Sequence, residues 1–257
     1  MRKKLFLLVA LFCFNTITQD SQLHAQAFID LESGLVFNGY NDVQIPGDAG
    51  TAFSLKTDLK PNPSAYFRAR IGYTIKSKHT ISALYAPLKI KSDGATNFPI
   101  TFEGETFNAQ TPIDASYKFN SYRITYRYRL VDKEKFEFGL GFSGKIRDAE
   151  IELSSEELSA SKINVGFVPL VNFRLYWNIH NDVGVLFKGD ALAASQGRAE
   201  DIILAGTYQI SDQLQLRCGY RILEGGADND EVYNFSLFHY ASFGLSYSFN
   251  NQSNSTD

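Results

Sequence analysis

The residues of this sequence that could do hydrolytic chemistry are carboxylates in its C-terminal half and one nearby histidine, His239. A carboxylate paired with a histidine can activate a water molecule for attack on an ester or amide bond. In a strand, however, alternate residues point to opposite faces, and His239 shares the face of its large apolar neighbours. We therefore predict no catalytic residue. The carboxylates in question are expected at the outer rim of the sheet that the strands form: Asp190, Glu200, Asp201, Glu224, Asp228, Asp230 and Glu231.

A second group of charged residues alternates with apolar residues along several segments. Buried charges must pair with one another or stay hydrated. We therefore predict an interior layer of ion pairs, with a hydrated pore lining as the alternative. Further basic residues on the same faces, such as Arg68, Lys145 and Arg221, would make any open path prefer anions. The predicted layer comprises Asp30, Glu32, Arg70, Arg127, Arg129, Glu137, Arg174 and Arg217.

The element that dominates the sequence is a long alternating segment at 232–249. Its odd positions are mostly large and apolar, and its even positions are mostly Ser, Gly or Asn. This period of two predicts one strand with an apolar and a thin polar face. About 9–11 residues suffice for a tilted strand to cross a bilayer, so this strand is long enough to cross it and project beyond.

The same alternation recurs along the chain and predicts ten strands in all, with eight to twelve as the plausible range. Connections alternate between short turns and long segments, which is typical of an outer-membrane barrel. The long segments are expected at 41–63, 91–112, 148–161 and 224–231, with a small hairpin at 100–107 projecting beyond the barrel. The nine strands before the last are expected at 28–40, 65–75, 80–90, 114–130, 136–147, 163–177, 183–192, 201–210 and 214–223.

The N-terminus reads as a signal peptide at 1–27, with a basic start, a short apolar core and an Ala25-Gln26-Ala27 cleavage site. The barrel domain would then span 28–249, followed by a disordered polar tail at 250–257. Cleavage after Ala27 removes three of the 25 basic and one of the 28 acidic residues, which leaves a net charge of −5. This mildly acidic balance predicts no nucleic-acid partner.

The sequence contains no pattern that predicts a metal site, a cofactor site or a disulfide. The acidic run at 228–231 lacks the spacing of a calcium-coordinating loop, so we predict no metal site and no cofactor. Cys218 is the one cysteine left after cleavage, and it therefore has no partner within the mature chain.

Two features favour a membrane barrel over a soluble sandwich or lipocalin, which also have one apolar face. The polar faces combine glycine with charged residues, which suits an enclosed polar interior. Aromatic residues recur near strand ends on the apolar face, at the level of a lipid–water boundary. These aromatic residues, which we call the girdle residues, are Tyr73, Tyr126, Tyr128, Phe136, Trp177 and Tyr247.

The fold class predicted is an all-β, antiparallel, up-and-down transmembrane barrel.

The sequence SFGLSYSF at 242–249 resembles the C-terminal assembly signal of small outer-membrane β-barrel proteins of Gram-negative bacteria. The matching positions are Ser242, Gly244, Tyr247 and Phe249. The departure is the tail after Phe249, since the family often ends on its aromatic residue. The resemblance covers nearly the whole mature chain, but no subfamily of known activity matches. It implies residence in the bacterial outer membrane, contact with lipid and lipopolysaccharide, recognition by the barrel-assembly machinery, and a monomer.

The function expected from these features is non-enzymatic: a structural role, or binding through the extracellular loops, because function concentrates on loops over a rigid scaffold. One alternative is a narrow, weakly anion-preferring channel for small solutes, since a ten-stranded lumen lies between filled and open barrels. A second alternative is a surface hydrolase. The resemblance includes barrels that are proteases or lipid A deacylases, but neither catalytic motif occurs here.

Overall fold

The computed structural model describes residues 25–194 and 197–249, so most of the predicted signal peptide and the predicted tail lie outside the described residues. No described helix is long and apolar enough to cross a membrane. Ten strands form the barrel: β1 Ala25–Gln44, β2 Ser64–Ile75, β3 His79–Ala86 continued by Lys89–Gly94, β4 Ile113–Lys133, β5 Phe136–Ser154, β6 Ser159–His180, β7 Val183–Ala194, β8 Gly197–Gln209, β9 Leu214–Asp228 and β10 Tyr233–Phe249.

Each strand pairs antiparallel with its neighbours in sequence, and β10 pairs with β1 to close the sheet. Ala27 pairs with Phe249, but a walk along paired residues once round the barrel from Ala27 ends at Leu237, twelve residues before Phe249. This stagger requires tilted strands, at roughly 35–45° to the barrel axis. The predicted all-β, ten-stranded, up-and-down barrel is confirmed.

The predicted long loops at 148–161 and 224–231 are wrong. The ladder between β5 and β6 continues to the pair Ser154–Ser159, and β9 runs on through Gly225 to Asp228. Beyond the apolar belt the alternation changes face: in β5 the outward residues Asp148, Glu150 and Glu152 are charged, whereas the inward residues Ile151 and Leu153 are buried. In β9 residues 225–227 are small. Neither segment has a large apolar outward face, so both resemble loops although backbone pairing continues.

The outer surface of the barrel carries a belt of exposed apolar side chains, including Ile71, Ile124, Phe142 and Leu204. The predicted girdle residues Tyr73 and Trp177 lie at the end of the short turns. At the other boundary, Tyr85 and Tyr122 stack with ring centroids 5.3 Å apart. An apolar belt bordered on both sides by a circle of aromatic residues is the surface that a lipid bilayer requires.

The expectation that the 100–107 hairpin projects beyond the barrel is wrong. The hairpin strands Ile100–Phe102 and Glu105–Phe107 fold inward, and Ile100, Phe102 and Phe107 are fully buried. They pack with buried residues of the 45–63 connection and with inward-facing wall residues. We call this assembly the apolar plug: Val36, Val43, Ile45, Phe53, Leu55, Leu59, Ile100, Phe102, Phe107, Ile113, Tyr117, Leu153, Phe238 and Tyr240.

Burial of these side chains explains why the two connections turn inward. Each large apolar side chain removed from water contributes about 1.5–3 kcal/mol. Backbone bonds then tie the connections together: Thr51 N donates to Thr101 O at 2.9 Å, and Gly47 N donates to Asp230 O at 2.8 Å. The half of the barrel at the long connections is therefore filled by its own loops.

Candidate functional site

Below the apolar plug, charged side chains from six strands meet in the middle of the lumen. We call this group the central ion cluster. Several of its pairs join strands that are not neighbours, such as Arg68–Asp201 and Arg123–Asp190, so these ion pairs cross the lumen from wall to wall. The members are Asp30 and Glu32 on β1, Arg68 on β2, Arg123 on β4, Lys188 and Asp190 on β7, Asp201 on β8, and Arg217 and Arg221 on β9.

Asp201 contacts three arginines of the cluster. Its Oδ2 lies 2.7 Å from Arg68 Nη2 and 2.5 Å from Arg123 Nη2. Its Oδ1 accepts a hydrogen bond from Arg221 Nη1. The Asp201 side chain is only 2% exposed, so three guanidinium groups replace the water that this carboxylate would otherwise need.

The other three carboxylates are also satisfied. Glu32 accepts from Arg221 at 2.7 and 2.8 Å and from Arg217 at 2.9 Å. Asp30 accepts from Arg217 at 2.8 and 2.6 Å and from Lys188 at 3.1 Å. Asp190 accepts from Arg123 at 2.8 Å, with Ser143 and Asn172 completing its shell. Such a shared network holds opposite walls of the barrel together.

The structure brings only some of the predicted ion-pair residues together. Asp30, Glu32 and Arg217 lie in the central ion cluster. Three others form a separate group at the short-turn end, where Glu137 lies 2.7 Å from Arg174 and 3.8 Å from Arg129. Neither of the remaining two is within 4.0 Å of a carboxylate in the described chain: Arg70 donates to Ser82 Oγ at 3.0 Å, and Arg127 lines the inner cavity.

The expectation that Asp190 and Asp201 lie at the outer rim is wrong, since both are buried in the central ion cluster. They face each other across the β7–β8 ladder, well below the hairpin tip. Sequence parity places Asp190 and Lys188 on the polar face, but it carries no information on how far along the barrel axis they lie. Parity also places Arg68, Arg123 and Arg221 on polar faces, but it does not show which acid each arginine contacts, because most of these pairs join strands that are not neighbours.

Two cavities flank the obstruction and share no lining residue. The inner cavity, about 260 Å³, is lined by polar and basic residues such as Arg70, Arg127 and Gln215. The outer cavity, about 430 Å³, lies beside the apolar plug and is lined largely by apolar groups, among them Phe119, Val168 and Leu223. The central ion cluster and the plug therefore separate two spaces of different character.

Two basic side chains enter the outer cavity without a carboxylate partner. Lys145 is 2% exposed, and its Nζ lies 4.5 Å from the centroid of the Phe119 ring. Arg147 donates from Nη2 to Asn164 Oδ1, while its buried Nε has no hydrogen-bond partner. Within residues 25–194 and 197–249, no carboxylate oxygen is within 4.0 Å of either group.

Other basic residues of this cavity are neutralised. Lys162 lies 3.0 Å from Glu103, and Arg198 lies 2.7 Å from Glu224. Arg198 sits near the tip of the β7–β8 hairpin, beyond the apolar belt, and its hydrogen bond to Glu224 raises its pKa. The excess positive charge of the cavity is therefore that of Lys145 and Arg147.

The barrel wall is incomplete beside the outer cavity. Pairing between β6 and β7 stops at Val171–Ala191, so residues 159–170 of β6 have described partners only on β5. We call this stretch the free edge. Pro169, which has no N–H to donate, lies where pairing ends, in agreement with the confinement of proline to strand edges.

The free edge opens the outer cavity toward the outside of the barrel. Phe167 and Pro169 face outward by strand parity, yet they line the cavity together with inward-facing Asn164 and Val168. Leu192 lies on the inward face of β7, yet it is 36% exposed. Phe167 is in register with Tyr122 through Ile146, so the opening lies at the outer boundary of the apolar belt.

His239 faces outward, as its parity predicts, and its ring is stacked with Tyr220, whose hydroxyl is hydrogen-bonded to His239 Nδ1. The ring centroids are 5.9 Å apart. None of the carboxylates considered above shares that hydrogen bond, and Asp190 and Asp201 lie inside the barrel. The polar end of this histidine is thus satisfied by a neighbouring strand on the lipid-facing side.

The residues that resemble an assembly signal have structural contacts of their own. Gly244 leaves room for Arg217: a Cβ there would lie 2.5 Å from Arg217 Cζ. Ser242 is buried inside, Tyr247 donates to Gln213 Oε1 at 3.0 Å, and Phe249 pairs with Ala27 at the closing ladder. Glycine at 244 therefore leaves the space that the Arg217 guanidinium occupies in the central ion cluster.

A closed ladder, an outer apolar belt and a charged interior define the class: an integral β-barrel of the outer-membrane type. No protein-family model matches the chain, and no curated protein resembles it in sequence.

Solved barrels resemble it in structure. The outer membrane protease OmpT of Escherichia coli has a TM-score of 0.49 at 12% identity, over 91% of this chain and 99% of that one. The attachment invasion locus protein Ail of Yersinia pestis has a TM-score of 0.40 at 11% identity, over 87% and 99%. Neisserial surface protein A has a TM-score of 0.35 at 13% identity, over 88% and 97%. Similarities of this size carry no information on activity.

Proposed function

We propose that this protein is a closed, non-enzymatic barrel of the bacterial outer membrane that acts by binding at its extracellular end. The observation that carries the proposal is the double obstruction of the lumen. The central ion cluster crosses the barrel from wall to wall, and the apolar plug fills the space above it. A barrel blocked at two levels is suited to present a surface, and it is poorly suited to conduct solutes.

Planar-bilayer conductance tests this proposal. We expect no resolved open events from the wild-type protein in either polarity. Replacing residues 97–110 by a short Gly-Ser linker removes part of the plug but leaves the central ion cluster, so this variant is also expected to stay silent. Additional replacement of Arg68, Asp201 and Arg221 by serine weakens the second obstruction as well and should produce conductance. Resolved wild-type openings would overturn the proposal.

The two alternatives have less support. An anion-preferring channel needs a continuous basic path, whereas the basic inner and outer cavities are separated by the cluster and the plug. A surface hydrolase needs an acid beside a histidine at the outer rim, whereas His239 is bonded to Tyr220 on the lipid-facing side. Residence in the outer membrane follows the class of fold, and a monomeric state and contact with lipopolysaccharide remain predictions.

A further inference from the structure

We propose that the outer cavity is a binding site for an amphiphile with an anionic head group and a hydrocarbon chain, which enters sideways through the free edge. The inference deepens the proposed function and rests on it, because it names the chemistry that the extracellular end would bind. The outer cavity has a volume of about 430 Å³, which falls within the usual range of small-molecule sites.

The head group is specified by Lys145 and Arg147. A buried ammonium without a carboxylate is costly, because water has been removed and nothing of opposite charge replaces it. Lys145 is 2% exposed, and Arg147 has an unpartnered buried Nε. An anion bound between these two groups would supply the missing charge and the missing acceptor. A carboxylate, sulfate or phosphate fits this requirement, and a cation does not.

The hydrocarbon chain is specified by the rest of the lining. Phe119, Val168 and Leu223 are apolar, and the other charged lining residues have partners: Lys162 with Glu103, Arg198 with Glu224, and Glu150 with Lys118. Burial of apolar surface contributes roughly 25 cal/mol per Å². A small hydrophilic anion would leave this surface unfilled, so the site favours an anion that carries a chain.

The route is specified by the free edge. Because β6 has no β7 partner from 159 to 170, backbone groups and outward-facing Phe167 and Pro169 border an opening at the outer boundary of the belt. Lipid tolerates unpaired backbone only where protein or a cavity covers it. An amphiphile lying with its chain in the outer leaflet could therefore slide its head group past Phe167 toward Lys145 without leaving the lipid surface.

The test uses the full mature protein in phosphatidylcholine nanodiscs, titrated with three compounds by isothermal calorimetry. Dodecyl phosphate carries both required parts, dodecyltrimethylammonium carries the chain with the opposite charge, and inorganic phosphate carries the charge without the chain. We expect saturable binding of dodecyl phosphate at one site. Binding of the other two should be weaker by about tenfold or more, since a charge-assisted contact or the chain burial is lost.

Variants assign the binding to this cavity. Lys145→Met keeps an unbranched side chain and removes the charge, so it should lower the affinity for dodecyl phosphate by about tenfold or more. Lys135→Met, in an exposed turn at the opposite end, is the matched control and should bind like wild type. Lys145→Met should remain folded, because it removes a buried unpaired charge. Arg147→Gln gives a second, independent test of the head-group site.

A photoreactive group on the terminal carbon of the chain tests the route and the source of the ligand. Label is expected on peptides containing Phe167 or Leu192, whether the head group belongs to dodecyl phosphate added in water or to phosphatidic acid mixed into the disc. Label from only one of these identifies the source. Label confined to belt residues such as Ile124 would overturn the proposal, as would equal binding by Lys145→Met. If the wild-type protein shows neither conductance nor binding of dodecyl phosphate, this inference alone is refuted. Conductance by the wild-type protein would refute the proposed function.

Discussion

Replacement of Asp201 by asparagine is expected to be among the most destabilising single substitutions in the barrel wall. Asp201 is buried and faces Arg68, Arg123 and Arg221. Breaking a buried ion pair by removing one partner costs about 3–5 kcal/mol, since the other charge is left uncompensated. Such a loss corresponds to about two to four orders of magnitude in the unfolding equilibrium.

The charge balance of the central ion cluster sharpens this prediction. Four carboxylates face five cations, so loss of an acid raises the positive excess, whereas loss of a base removes it. Arg221→Met should therefore cost less than Asp201→Asn, because Glu32 keeps Arg217 and Asp201 keeps two arginines. This ordering would not arise if the contacts acted only as independent hydrogen bonds.

The assay is equilibrium unfolding in guanidinium with the protein in lipid vesicles. Trp177 is the single tryptophan of the sequence and is 53% exposed on the outer surface, at the boundary of the apolar belt, so its fluorescence reports contact with lipid. Asp212→Asn, in an exposed turn, is the matched control and should unfold like wild type. The reasoning is refuted if Asp201→Asn lies within about 1 kcal/mol of wild type or if Arg221→Met is the costlier change.

Three further predictions concern assembly and processing. Gly244→Val should displace the Arg217 guanidinium and lower the midpoint of unfolding, whereas a midpoint equal to that of wild type would show that the arginine can move without cost. Phe249→Ala should reduce the amount of heat-modifiable barrel in the membrane fraction, and an unchanged amount would exclude this residue from the assembly signal. N-terminal sequencing of the exported protein should begin at Phe28; a start elsewhere would show that cleavage does not follow Ala27.

The ten strands could be predicted because each crosses a belt where one face must be apolar. Alternation reports that requirement directly, as in β10, where the odd residues face outward. Phe238 and Tyr240 break the rule: they lie on the inward face yet belong to the apolar plug. Their even parity is visible in the sequence, but the prediction of a polar interior did not account for it.

The plug and the central ion cluster could not be predicted because both depend on which distant residues meet. Nothing in the periodicity of a loop shows that Phe53 and Phe102 pack together with ring centroids 6.3 Å apart. Likewise, parity places Arg123 and Asp190 on polar faces but does not show that they meet across the lumen. Pro169 was the one local signal of the free edge, since proline lacks the N–H that an internal strand donates.

The pairing of β1 with β10 has a consequence for the order of events during biogenesis. These contacts join the two ends of the described chain, so loop closure makes them the slowest to form, and they must wait for delivery of the last strand. Until then the chain is an open sheet with two unpaired edges, which lipid does not tolerate and which invite association with other chains. Insertion and closure are therefore coupled, and a chain that ends before β10 should accumulate outside the bilayer.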